Sequence, residues 1–234
     1  MFNDYQTTFY SQDTVRKSIL NSYVWMALGL LVTGAVSFGL YATGLFFTLL
    51  ASPFVMLALI IAQFGIVIAF SSALARNTSA GTMKILFLAY AVILGITMTS
   101  IFYSYPLGVI GVAFFVSALF FGCLVIMGIT TKKDMTRIGM ICMAGLFALI
   151  ISQPILWLLG FGPMTRMFSL LGLVIFAGLT IWDVQRMHKI MTLEDGTIVS
   201  REKLSIYFAL ELYLDFINIF LYILRLVGLG SSRD

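Results

Sequence analysis

Seven apolar runs, each longer than twenty residues, follow one another along the chain, and no other feature constrains its fold as tightly. They lie at 21–45, 51–74, 83–103, 106–129, 137–159, 166–187 and 204–227, bounded by charge, Pro or Gly. An α-helix rises about 1.5 Å per residue and a bilayer core is about 30 Å thick, so each run is long enough for one span. Barrel strands alternate inward and outward residues, and continuous apolar runs do not. With 61% hydrophobic and 10% charged residues, 234 residues cannot cover a water-soluble globule with polar side chains. The expected fold is therefore an all-α membrane protein, a seven-helix bundle. A polar segment 1–20 precedes the single transmembrane domain 21–229, and a short tail, 230–234, follows.

Charge placement predicts the orientation. With seven crossings and a cytoplasmic N-terminus, eleven of the 14 basic residues fall inside and Arg166, Arg225 and Arg233 outside, as the positive-inside rule requires. The net charge of +4 is read as this orientation signal and not as a nucleic-acid surface, because no basic run exceeds Lys132-Lys133. Asp13-Thr14 offers N-cap chemistry for the first helix. Pro53, Pro106 and Pro163 suit helix starts, whereas Pro154 lies within the fifth span and predicts a kink or an early end. Cys123 and Cys142 sit in apolar stretches as small hydrophobes. Ala91, Gly95 and Thr99 form a small-residue stripe suited to close helix packing. Trp25, Trp157 and Trp182 fall near span ends, and the phenylalanines around 114–115 and 120–121 read as lipid-facing or packing residues.

The last run carries the chemistry. Glu211, Asp215, Asn218 and Tyr222 recur at helical spacing and share one face, with Arg225 continuing the line. A carboxylate facing hydrocarbon is costly, so intramembrane acids turn toward protein or water and often mark ion or proton paths; the alternative is a hydrogen-bond network that only locks the bundle. Asp183 stands near the end of the sixth run. Counted from the boundary at Met187 it lies roughly 6 Å deep, against roughly 10–16 Å for Asp215, so with side-chain reach the two could share a level. Asp183 could equally pair with Arg186 or Lys189 at the interface. Two carboxylates in contact at low dielectric cannot both ionise cheaply; they would share a proton and titrate as a unit. Losing that proton would drive the helices apart or recruit a hard cation such as Ca²⁺. His188, the single histidine, has no adjacent nucleophile, no phosphate or dinucleotide loop appears, and no enzyme activity is expected.

The run from Leu212 to Arg225, Leu-Tyr-Leu-Asp-Phe-Ile-Asn-Ile-Phe-Leu-Tyr-Ile-Leu-Arg, with Asp183 in the preceding helix, Gly95-Ile96-Thr97 in the third and Phe2-Asn3-Asp4 ahead of the spans, closely resembles the transmembrane Bax inhibitor motif family, in particular its bacterial members. The resemblance implies six helices around a central seventh, a multi-pass protein of the bacterial plasma membrane, and a pH-sensitive calcium leak. It maps the paired-aspartate sensor onto Asp183 and Asp215, which would also be the Ca²⁺ contacts, and a closing latch onto Arg76. A glutamate that some members carry on helix two has no counterpart; Gln63 is the polar residue deep in that span. Glu211 is an addition to the motif and, with Asn218, a candidate pore or cation contact, and the 191–203 link is longer than in compact members. The expected partners are the lipid bilayer, Ca²⁺ and H⁺, with Ca²⁺ as transported ion and no cofactor. The competing expectation is an interaction protein that restrains another membrane complex, such as a membrane protease or a stress factor, without transport of its own. A proton-coupled transporter is disfavoured by the lack of visible repeats.

Overall fold

A computed structural model describes residues 12–46, 52–76, 78–158, 166–192 and 200–231. Phe2-Asn3-Asp4, Pro163, most of the 191–203 link and the end of the tail, Arg233 included, lie outside the described residues. The described chain is helical: α1 (Gln12–Thr43), α2 (Pro53–Ala75), α3 (Ala80–Met98) with a five-residue continuation Ser100–Ser104, α4 (Leu107–Thr130), α5 (Thr136–Leu158), α6 (Arg166–Thr192) and α7 (Arg201–Ser231). Six of these are long and apolar enough to cross a membrane, while the fully described apolar part of α5, Thr136–Ser152, is shorter than a full span.

Local chemistry explains the boundaries. α1 starts nine residues before its apolar run, and Asp13, expected as a cap, lies inside its first turn. There its carboxylate complements the positive end of the helix dipole instead of capping it. α1 ends at Gly44, whose φ of 67° is the left-handed conformation that glycine adopts without strain. Pro53 opens α2 behind Ser52, and Ser79 caps α3 by accepting from the Thr82 N–H at 3.2 Å. α3 breaks at Thr99, where Thr97, Thr99 and Ser100 all donate back to carbonyls three or four residues earlier and so compete with the helix ladder. Pro154 does not end α5, which runs on to Leu158; membrane helices tolerate proline where local adjustment satisfies the freed carbonyl.

The helices gather into two compact units. The first holds residues up to Ile101 together with Met187–Glu211; the second holds Phe102–Arg186 and Leu212 onward. In the first, α3 lies against α1 through the small-residue stripe. Thr33 Oγ1 donates to the Ala91 carbonyl at 3.0 Å, and a Cβ on Gly95 would stand 2.9 Å from both the Thr33 carbonyl oxygen and Val36 Cβ. Gln63 of α2 donates to Thr97 Oγ1 at 3.2 Å, and Phe70 stacks on Tyr207. α7 is the most enclosed of the spans, with 72% of its apolar stretch buried against 6% for α2.

Candidate functional site

Within the second unit, side-chain contacts fix helix directions. Along α4, Tyr105 just before its start meets Gly228 of α7, Phe114 meets Phe216 and Phe220, Phe121 meets Phe216, and Gly128 meets Val184 of α6. So α7 runs opposite to α4. α6 reaches α7 at its other end, where Gly172 and Phe176 pack on Tyr222, the rings of Phe176 and Tyr222 lying 5.9 Å apart. Since Val184 is at the far end of α4 from that contact, α6 runs with α4 and against α7. α5 covers another side of α6, with Gly139 against Trp182, Cys142 against Gly178 and Gly145 against Ile175.

These contacts also assign faces. On α6, residues 172 and 176 point to α7, 181 and 184 to α4, and 175, 178 and 182 to α5. Asp183 is seven residues beyond Phe176, two turns along the same face. On α7, Asp215 is seven residues before Tyr222, again two turns along one face, while Phe216 and Phe220 point to α4. Asp215 therefore lies on the side of α7 that Tyr222 turns toward α6.

Both aspartates are buried, Asp183 at 7% exposure and Asp215 at 4%. Asp183 Oδ1 pairs with Arg186 Nη2 at 3.1 Å, one turn later on α6, and the Arg186 guanidinium lies 4.7 Å from the Trp182 ring centre. The interfacial pairing that the sequence allowed thus forms, and the charge of Asp183 has a fixed partner. Asn218 is half-buried and donates its amide to the Leu214 carbonyl at 2.8 Å. Glu211 is half-buried at the end of the α7 segment in the first unit. Arg76 lies elsewhere in that unit: it is the C-cap of α2, its side chain is exposed, and its carbonyl accepts from Lys203 Nζ at 2.8 Å. Among the described residues no three His, Cys, Asp or Glu side chains converge as a metal cage.

Two residues of α6, one toward each end, escaped the sequence reading. Gln185 Nε2 donates to the carbonyls of Thr131 at 3.1 Å and Lys133 at 2.9 Å, and its Oε1 accepts from the Met135 N–H at 2.9 Å, so one side chain holds the α4–α5 turn. Gly172 provides the gap for the Tyr222 ring, which a Cβ would enter. Neither residue type carries a signal of its own in an apolar run.

Comparison with known proteins bears on the whole chain. Residues 15–233 match the family model described as "Inhibitor of apoptosis-promoting Bax1". The chain is 37% identical over 208 residues to an uncharacterized protein of Borreliella burgdorferi, covering 87% of this chain and 88% of that one. It is 34% identical over 208 residues to the inner membrane protein YbhL of Escherichia coli K12, covering 88% of each. A Deinococcus radiodurans protein is 33% identical over 222 residues, covering 95% of this chain and 93% of its own length.

Proposed function

The chain belongs to the Bax1 inhibitor family, and from that premise we propose that it is a multi-pass inner-membrane protein that leaks Ca²⁺ down its gradient under the control of a proton shared by Asp183 and Asp215. The observation that carries the reading is the register of α6 on α7. Starting from the Phe176–Tyr222 contact, a two-turn step in opposite directions along an antiparallel pair would bring Asp183 and Asp215 to one level on facing sides, and both are buried. Arg186 supplies one positive charge to that level. With both acids ionised the two carboxylates repel each other at low dielectric, and either a proton or a cation relieves the repulsion. The protonated site holds α6 and α7 together; the unprotonated one repels across the interface and admits a hard cation to its oxygens. Acid therefore closes the path and neutral pH opens it. The enclosure of α7 supports a central place for that helix, and the basic residues support a cytoplasmic N-terminus with α7 crossing outward.

The test is Ca²⁺ entry into liposomes holding the purified protein, followed across pH for the parent, Asp183→Asn and Asp215→Asn. Both substitutions are expected to flatten the pH dependence. Parent-like titration of both would remove the pair as sensor, and absence of any flux from purified parent would favour a protein that restrains another membrane complex.

A further inference from the structure

The first turns of α7 tie together several helices of the first unit. Four of the five residues from 201 to 205 reach four different helices. Arg201 Nη1 donates to the Met191 carbonyl at the end of α6, and Glu202 pairs with Lys84 in the first turns of α3. Lys203 Nζ donates to the Arg76 carbonyl at the end of α2, and Ser205 Oγ donates to the Ser18 carbonyl of α1 at 2.9 Å.

These ties are unequal. The Lys84 and Glu202 side chains are 33% and 52% exposed, a setting in which ion pairs contribute little. Lys203 is 7% exposed, a charged side chain taken out of water to reach one carbonyl. That carbonyl belongs to the negative end of the α2 dipole, and α2 has no basic residue of its own in its last turn. Lys203 brings a buried cation from another helix to this terminus, whose own C-cap residue, Arg76, holds its side chain exposed. A charge-assisted bond in a buried place is about twice as strong as a neutral one, and the ammonium loses water that only re-exposure returns.

We infer that the first turn of α7 fastens the adjoining ends of α1, α2, α3 and α6, and that this end opens by withdrawal of Lys203 from the α2 terminus. Opening then requires α7 to part from α2 while its neighbouring ties yield. The inference concerns the fold itself; only its link to ion flow rests on the leak proposed above.

Amide hydrogen exchange read by mass spectrometry on the full chain in lipid nanodiscs tests it. Lys203→Met keeps the apolar stem and removes the donor. It should accelerate exchange at residues 72–76 and 201–205 by about tenfold or more, the shift that loss of one such bond produces, and leave 212–224 unchanged. Lys203→Arg should restore protection, and Lys84→Met should change it by less than about threefold. Unaltered exchange in Lys203→Met, or an equal effect from Lys84→Met, overturns the inference. If Lys203→Met does not reach the membrane folded, the parent serves: from acid to neutral pH with Ca²⁺ present, 72–76 and 201–205 should lose protection together, and constant protection during measurable Ca²⁺ flux overturns it. Ca²⁺ flux in acid is expected to be higher for Lys203→Met than for the parent. Accelerated exchange with no flux from either protein would remove the leak and keep the fastening.

Discussion

Gly172 shows how one absent carbon sets the position of a polar stripe. Because the Tyr222 ring occupies the space where a Cβ would stand, α6 and α7 approach closely at Gly172, and the register proposed for Asp183 and Asp215 depends on that approach. Gly172→Val should destabilise the protein by about 1–3 kcal/mol, the usual range for overpacking, and should also weaken the pH response of flux. Gly65→Val on α2, where nothing stands within 4 Å of the added carbon, is the control. Thermal unfolding in detergent compares them, and equal melting temperatures would show that the Tyr222 contact does not hold the register. Gln185 acts over a longer reach. Its three hydrogen bonds clasp the α4–α5 turn on both sides of the exposed Lys132 and Lys133. Removing them in Gln185→Ala should free the turn and speed tryptic cleavage at those lysines several-fold, since each lost bond contributes roughly 1 kcal/mol. A cleavage rate equal to the parent's would mean the turn is held by other groups. Asp183 and Asp215 were legible in the sequence because charge inside an apolar run is conspicuous. Gly172 was not, being one of 20 glycines whose use depends on what stands opposite.

Among the elements, α3 and α7 kept their sequence pattern most closely. The stripe of Ala91, Gly95 and Thr99 predicted a close neighbour, and α1 takes that place, with Val36 and the Thr33 carbonyl against Gly95. Gly95→Leu should therefore cost at least about 1–3 kcal/mol, because one of the obstructing atoms is backbone and cannot rotate aside. Thr33→Val, nearly equal in size, removes only the bond to Ala91 and should cost about 0.5–1.5 kcal/mol. Chemical unfolding of the two variants checks the order, and a smaller loss for Gly95→Leu would mean that α1 and α3 can slide apart freely. Helix ends were read less well. α1, α6 and α7 all extend past their apolar runs, since helical hydrogen bonding continues through charged residues once the membrane surface is passed. The same extension places Lys203 within α7, where it reads as helix surface and yet is buried.

For the whole molecule, the placement of basic residues and the six long apolar helices predict a C-terminus on the outer side when α7 and α5 both cross. A phosphatase reporter joined after Asp234 should be active in intact cells and a fluorescent reporter that matures only in the cytoplasm should stay dark. The reverse pattern would make α7 re-entrant or leave α5 short of a crossing. Hydropathy alone determined that the chain is a helical membrane protein and roughly where its long apolar helices lie, because the bilayer acts on every residue according to its own polarity. Which helix faces which, and that Lys203 crosses to the end of α2, were decided only by tertiary structure. Those outcomes depend on the shapes of side chains far apart in the sequence, and no local pattern records them.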